Sequence, residues 1–362
     1  MTGTTPQDHC STRFLEYGVE SVVHPLRTAT ERARRSQAPA DDDKEMVNRK
    51  AKPPLATRTL NRLYALLLRR LVLSERAFLL CQKCGFHVTQ NHYYQPVPDT
   101  AKLLDDLWLQ HSELAGLDMN ELRQMELLSL FQSRFRNEYE LLPRRSTGKP
   151  HEFYLENGAF VNVDAEILYC MIRHFKPRRI YEIGSGMSTL LSAQAVLRNE
   201  QDACLPCDLV AIEPYPNDML QRGFPGLSRL VQSPVENVPL SEFNNLSEND
   251  ILFIDSSHVL RIGNDVQYEY LELLPRLNRG VVIHVHDIFM PAEYPKEWVI
   301  RRRLFWTEQY LLQAFLSFNN SFEVLWAGAY MHLKNPEKLE AAFSSYDRNR
   351  TRPGSFWIRK TK

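Results

Sequence analysis

"RRIYEIGSGMSTLLSAQAV", residues 178–196, is the stretch whose reading decides the fold. Ile180-Tyr181-Glu182-Ile183 is a run of β-branched and aromatic residues that reads as a strand. Gly184-Ser185-Gly186 breaks it, and from Ser188 onward the composition favours a helix. A strand, glycine turn and helix in succession bring backbone N–H groups and a helix N-terminus to one place. That arrangement suits an anionic or polar ligand.

The flanking sequence repeats the alternation. A helix over 164–175 leads into the first strand, and a helix over 188–198 follows it. "LVAIE" (209–213) is a second strand, followed by a helix near 217–222, and "LSRLVQS" supplies a third. "DILFID" (250–255), a helix around 264–277 and "GVVIHVHD" (280–287) complete five strands. "TEQYLLQAFLSF" then reads as a helix, and "FEVLWAGAYMHLK" as a pair that turns back antiparallel. Strands alternating with helices imply a Rossmann-like, doubly wound α/β sheet, mostly parallel with an antiparallel terminal strand. In such sheets ligands sit at the carboxyl ends of the strands.

Upstream the pattern differs. Residues 1–55 lack sustained periodicity and are expected to form a disordered or loosely docked arm. Residues 56–150 form a helical extension, with helices predicted over Thr57–Gln82, 100–115 and 120–139, the last capped by Asn120. The loop "PRRSTGKP" (143–150) marks a boundary. The catalytic domain is then expected over 151–335, and 336–362 as a C-terminal tail. The aromatic loop 86–98, with His87, His92, Tyr93 and Tyr94, reads either as local packing of a proline-rich loop or as a cap over a bound molecule, and "PAEYPKEW" after Asp287 resembles a lid segment. Trp298 and Trp306 read as core.

Across 362 residues, Lys+Arg and Asp+Glu both number 44. Without a basic surplus the chain does not read as a nucleic-acid binder. The clusters Arg32, Arg34, Arg35 and Arg348, Arg350, Arg352 read as solvated faces. The most apolar helix, "LYALLLRRLVL", is interrupted by Arg69 and Arg70 and is too short for a membrane span. With no signal-peptide core, a cytoplasmic location is expected. Cys81/Cys84 and Cys204/Cys207 have C-x-x-C spacing, but the pairs lie too far apart for a compact zinc ribbon.

Two cofactor classes use a turn like the first one, dinucleotides and S-adenosylmethionine. The dinucleotide fingerprint needs a third glycine, and Thr189 stands in its place. The pattern is instead E-x-G-x-G-x-S, Glu182 to Ser188, which resembles motif I of the class I S-adenosylmethionine-dependent methyltransferases. "AIEPYP" ends its strand with Glu213, whose carboxylate suits a ribose in either class. "FIDSSH" (Asp255, His258) and "HVHDIF" (His286, Asp287) resemble the small-molecule O-methyltransferase branch, which includes many bacterial tailoring and glycan-modifying enzymes. The resemblance covers roughly 150–335.

That resemblance implies a set of roles. Glu182, Gly184, Ser185, Gly186 and Ser188 would line the methionine end of the cofactor, and Glu213 would hold the ribose. Ser233 or Glu236 would edge the adenine, and Asp255 would lie beside cofactor and acceptor. Some members hold Mg²⁺ or another divalent ion, such as Mn²⁺, with an Asp here and an acidic pair after the fifth strand. This chain offers Asp255, His286 and Asp287, with imidazole replacing one carboxylate. His258 and His286 are the candidate bases beside Asp287, and His284 reads as structural. The implied activity is methyl transfer to a hydroxyl, or less readily an amine, of a small molecule or sugar. The alternatives are an NAD(P)-binding oxidoreductase and a non-catalytic protein of the same fold. Self-association is left open.

Overall fold

The computed structural model describes residues 55–72 and 74–362. The chain divides into two units, Met1–Arg70 and Leu71–Lys362. The described part of the first belongs to helix α1 (Leu55–Val72). The arm expected over 1–55 lies outside the described residues, apart from Leu55, which opens α1. So do Cys10 and the Arg32, Arg34, Arg35 cluster.

The single helix expected over Thr57–Gln82 is two. After α1 a second helix, α2 (Glu75–Lys83), starts afresh at Ser74, whose hydroxyl accepts from the Ala77 N–H at 3.4 Å. Residues 100–115 do not form the predicted helix. They run as loop with one short turn of 3₁₀ helix at Asp105–Trp108, and two of their groups bond to a distant segment. Ser112 N–H donates to Pro291 O at 2.8 Å and Trp108 Nε1 to Tyr294 O at 3.0 Å. Helix α3 (Glu121–Tyr139) is as expected, but Asn120 does not cap it. Asn120 adopts φ +52° and its side chain donates to Val324 O.

The sheet has seven strands: β1 (Arg179–Ile183), β2 (Asp208–Ile212), β3 (Arg229–Val231), β4 (Ile251–Ile254), β5 (Val282–Val285), β6 (Phe322–Ala327) and β7 (Phe356–Lys360), in the order β3-β2-β1-β4-β5-β7-β6. Strands β1 to β5 are parallel, and β7 runs antiparallel to both β5 and β6. The antiparallel strand therefore comes from residues 356–360, not from a hairpin within 322–334. There the chain leaves β6 and forms α10 (Gly328–Lys334) and α11 (Pro336–Ala342), numbered after the helices named next. Residues 336–362, expected as a tail, supply the interior strand β7 of the sheet.

Helix α4 (Asp164–Phe175) precedes β1, and between the strands lie α5 (Met187–Ala203), α6 (Asp218–Arg222), α7 (Leu240–Phe243), α8 (Asp265–Tyr268) and α9 (Glu308–Leu316). The helix expected over 264–277 changes pitch after α8, through a π-helical turn at Glu269–Leu273 to a 3₁₀ turn containing Pro275. Strands buried on both faces read as continuous apolar runs, and their two-residue period divides the core in two. Ile180, Leu209, Phe253 and Val282 face one side with α4 and α5. Tyr181, Val210, Leu252 and Ile283 face the other. Strand order reverses between β1 and β4, and the crevice at their carboxyl ends is the topological switch point.

Candidate active site

The glycine turn lies at that crevice. Gly184 has φ +76°, and a Cβ there would fall 1.8 Å from the Asp255 carbonyl oxygen. Only glycine lets the first loop lie against the end of β4. Gly186 differs: its backbone is extended and a Cβ would meet nothing within 4 Å. The space beside it is open.

Beneath the turn, Glu182 is fully buried. Its Oε1 accepts from the Ser188 hydroxyl at 2.6 Å and from the Thr189 hydroxyl at 2.8 Å. Burial pushes its carboxyl up to about 7, against the pull of those donors. Thr189 Oγ1 in turn accepts from the Gly186 N–H at 2.9 Å. The residue in place of the third glycine thus ties strand, loop and helix together. Glu182 and Ser188, expected to line the cofactor, instead brace its loop from below. Ser185 is at the surface of the turn, where its N–H donates to Glu213 Oε2 at 3.2 Å.

A cavity of about 340 Å³ opens beside the turn. Of the residues read from the sequence, Gly184, Glu213, Glu236 and Asp255 line it, joined by Tyr215 and Arg261. Ser233 does not. It lines a separate cavity of about 160 Å³, and its hydroxyl bonds Pro234 O at 3.1 Å.

At the ends of β4 and β5 stands the polar centre. His258 Nε2 is 3.3 Å from Asp255 Oδ1 and 3.8 Å from Asp287 Oδ2, and its Nδ1 is 2.8 Å from Glu308 Oε2. Glu308 is fully buried and also accepts from the Tyr270 hydroxyl at 3.1 Å. His258 and Asp287 both hold left-handed backbones, φ +60° and +55°. For non-glycine residues this is a strained state, of the kind that concentrates at functional sites. Trp306, expected to be core, is half-buried with its ring centroid 4.3 Å from that of His258.

Burial alone would depress the His258 imidazole, but its bonds to Asp255 and Glu308 prevail and hold it well above its ordinary value. Burial would raise Asp255, and His286 and His258 reverse this, holding it down at about 2. Asp287 goes the other way, raised by burial despite the same histidines. His284 is fully buried, with neither ring nitrogen hydrogen-bonded, and stacks on Phe253 at 4.0 Å. Burial drives it neutral, in keeping with a structural residue.

His286 is buried against Phe160, with Nδ1 unpartnered and Nε2 3.7 Å from Asp287. It does not join the metal-competent group. Among the described residues the donor atoms that lie within 4.8 Å of one another are those of Asp255, His258 and Asp287. The imidazole in the expected set is therefore His258. The donor chemistry fits a divalent ion, because a carboxylate on the far ring nitrogen, here Glu308, is the usual support of a ligating histidine. Cys81, Cys84, Cys204 and Cys207 are free thiols and belong to no such group among the described residues.

Residues 181–288 match the family model described as a methyltransferase domain. A protein of Archaeoglobus fulgidus is 31% identical over 170 residues, covering 44% of this chain and 74% of its own length. By the match over 181–288 the chain carries a methyltransferase domain. Solved structures that resemble it include the apo form of CmcI (15% identity, TM-score 0.32, 62% of this chain and 84% of that one). Another is CalS11, a TDP-rhamnose 3'-O-methyltransferase of calicheamicin biosynthesis (14%, TM-score 0.33, 67% and 95%). Scores this low add no argument about the site.

Proposed function

We propose that this methyltransferase methylates a hydroxyl oxygen of a small-molecule or sugar acceptor, with His258 at the centre of the chemistry. The observation that carries the reading is the setting of His258, between a buried carboxylate on Nδ1 and two strand-end carboxylates on the Nε2 side. Bound in the cavity, S-adenosylmethionine supplies a methyl group on a positively charged sulfur, which needs an aligned nucleophile more than activation. Glu213 would accept the ribose hydroxyls, Glu236 would edge the adenine, and the open space beside Gly186 would take the methionine end.

A hydroxyl loses its proton only far above neutral pH, so the acceptor oxygen needs a base or an ion beside it. His258, made strongly basic by its neighbours, meets the first need. Asp255, His258 and Asp287 would hold a divalent ion, which would supply the second by lowering the hydroxyl pKa. Two carboxylates and one nitrogen suit Mn²⁺, Fe²⁺ or Zn²⁺ as well as Mg²⁺. On this reading the loop 105–112, bonded to 291–294, caps the acceptor, and the methyltransferase domain runs from about residue 151 through β7.

The test is transfer of labelled methyl to a panel of hydroxylated and amino acceptors, before and after chelation, with S-adenosylhomocysteine binding measured alongside. His258→Ala should lose transfer and keep binding; unchanged turnover would remove His258 from the chemistry. Activity surviving chelation assigns His258 to proton transfer. Activity lost and then restored by one ion assigns it to ligation, and His258→Ala should then lose the ion while His286→Ala retains it.

A further inference from the structure

Helix α1 has an arginine face and a leucine face and no acidic residue of its own. Its sequence, LATRTLNRLYALLLRRLV, contains four arginines and no aspartate or glutamate. At about 100° per residue, Leu60, Leu63, Tyr64 and Leu67 gather on one side, with Arg62 and Arg69 roughly opposite. Arg70 flanks the apolar side, where a long cationic side chain can lay its stem on apolar surface and keep its charge outside. The apolar side chains are exposed: Leu63 is 54% exposed, Tyr64 57% and Leu67 58%.

The charge pattern indicates what covers this face. In the same chain the exposed side of α3 carries mixed charges that pair along the helix, Arg123 with Glu126 and Arg136 with Glu140. Helix α1 has no such option within itself, in a chain whose acidic and basic residues number 44 each. A second copy of α1 would bring the same cations and again no anion. An anionic surface supplies both a phase for the leucines and counter-charges for the arginines. We propose that α1 is an interfacial helix that docks the protein on anionic lipid, lying in the headgroup plane with Leu60, Leu63, Tyr64 and Leu67 inserted. It does not cross the bilayer, since no described helix is long and apolar enough to do so. Interfacial helices combine an apolar face with an Arg/Lys-rich one, and each cation near an anionic leaflet adds about 1 kcal/mol. The inference is independent of which acceptor is methylated.

The experiment is flotation of the full chain with vesicles of phosphatidylcholine containing about 30% phosphatidylglycerol, against pure phosphatidylcholine. Binding should favour the anionic vesicles and fall as salt rises. Leu63→Glu/Leu67→Glu should abolish it, and Arg62→Gln/Arg69→Gln should weaken it at least about tenfold. Both variants should bind S-adenosylhomocysteine as the parent does, which shows that the methyltransferase unit remains folded. No flotation of the parent, or equal binding to both vesicle types, overturns the proposal. So does a parent that ignores vesicles but is an oligomer which Leu63→Glu/Leu67→Glu converts to monomer, because the face would then be a self-association surface.

Discussion

Glu308 holds His258 at two points: its carboxylate Oε2 lies 2.8 Å from the ring Nδ1, and its backbone N–H donates to the His258 carbonyl oxygen at 3.1 Å. Thr307 reinforces the lock, its N–H on the same carbonyl at 2.9 Å and its hydroxyl accepting from the Leu260 N–H at 2.8 Å. The start of α9 is thus fastened to the turn after β4. Nδ1 is committed to Glu308, and only Nε2 faces the strand-end carboxylates.

Replacing Glu308 with glutamine keeps the shape but lets an amide N–H point at Nδ1, favouring the other tautomer. The turnover number should fall about 100-fold or more, with S-adenosylhomocysteine affinity unchanged by calorimetry. Glu308→Asp should recover part of the loss. A glutamine variant with parental turnover would show the contact to be packing alone.

In chelator-treated enzyme the pH profile follows from the same geometry. The folded protein raises the His258 pKa, so the ring remains protonated through the range where a free imidazole, near 6.5, has become neutral. A base must lose its proton before it can take one from the acceptor. The ascending limb of kcat/KM should therefore lie above that ordinary value, and Glu308→Gln should shift it down. A limb at or below 6.5 in the parent enzyme would contradict this.

The two glycines of the turn should respond differently. Gly184→Ala drives a Cβ into the Asp255 carbonyl at a left-handed backbone position, and a melting experiment should show a loss of roughly 2–4 kcal/mol. At Gly186 a Cβ would have no protein atom within 4 Å, so for Gly186→Val the melting temperature should be near parental while S-adenosylmethionine binding disappears. Normal binding by a folded Gly186→Val would place the cofactor elsewhere.

Much of this was legible in the sequence because it is local. The strand, turn and helix at 179–203 follow from neighbouring residues, and β2 to β5 from apolar runs with punctuation between them. What was not legible depends on distance along the chain. "FWIRK" is five residues of ordinary strand composition, and nothing in it says that β5 is its neighbour. Glu308 reads as the first turn of an amphipathic helix, with no spacing that ties it to His258 across 50 residues. His286 matched the family pattern by position, but the metal-competent imidazole is supplied by the turn that strains His258. The helix expected over 100–115 stops after one 3₁₀ turn at Asp105–Trp108, and beyond it the Ser112 N–H bonds to Pro291 O while the Trp108 side chain bonds to Tyr294 O.

Glu213 offers a further check. It is half-buried, with Oε1 accepting from Tyr215 N–H at 2.8 Å and Oε2 from Ser185 N–H. Gln at this position loses the charge that strengthens bonds to ribose hydroxyls, about 1.5–3 kcal/mol each. Cofactor affinity measured by titration should fall at least tenfold. An unchanged affinity would leave Glu213 as a brace for the turn only.

Stability should vary with pH through Glu166. This residue is buried in the first turn of α4, bonded to the Val163 N–H at 2.5 Å and to the Ser345 hydroxyl. Burial raises its carboxyl from 4.5 to about 7. Between those values the folded protein keeps a proton that the unfolded chain has released, so stability falls as pH rises and levels off above 7. The change is roughly 3 kcal/mol. Glu182 is raised to about 7 as well, and Asp164, Glu269 and Asp287 are raised too, so Glu166→Gln should reduce the slope in denaturant titrations without abolishing it. A slope unaltered in the variant would show that Glu166 is ionised in the fold.

The position of β7 couples the chemistry to the completion of folding. Val282–Val285 is a fully buried strand whose second neighbour is Phe356–Lys360, reached only after β6, α10 and α11 have been laid down. The segment leading into that strand also builds the site. The Asp164 carboxylate accepts from the N–H groups of Gly354 and Ser355, and the Ile288 N–H donates to Gly354 O, immediately after Asp287. Until the late strand inserts, β5 presents an open apolar edge, the kind of template on which unfinished chains pair with one another. In that state the backbone of Asp287 also lacks its support. The same late segment that covers the edge of β5 thus also supports the backbone beside Asp287, so an unfinished molecule lacks part of the site as well as part of the sheet.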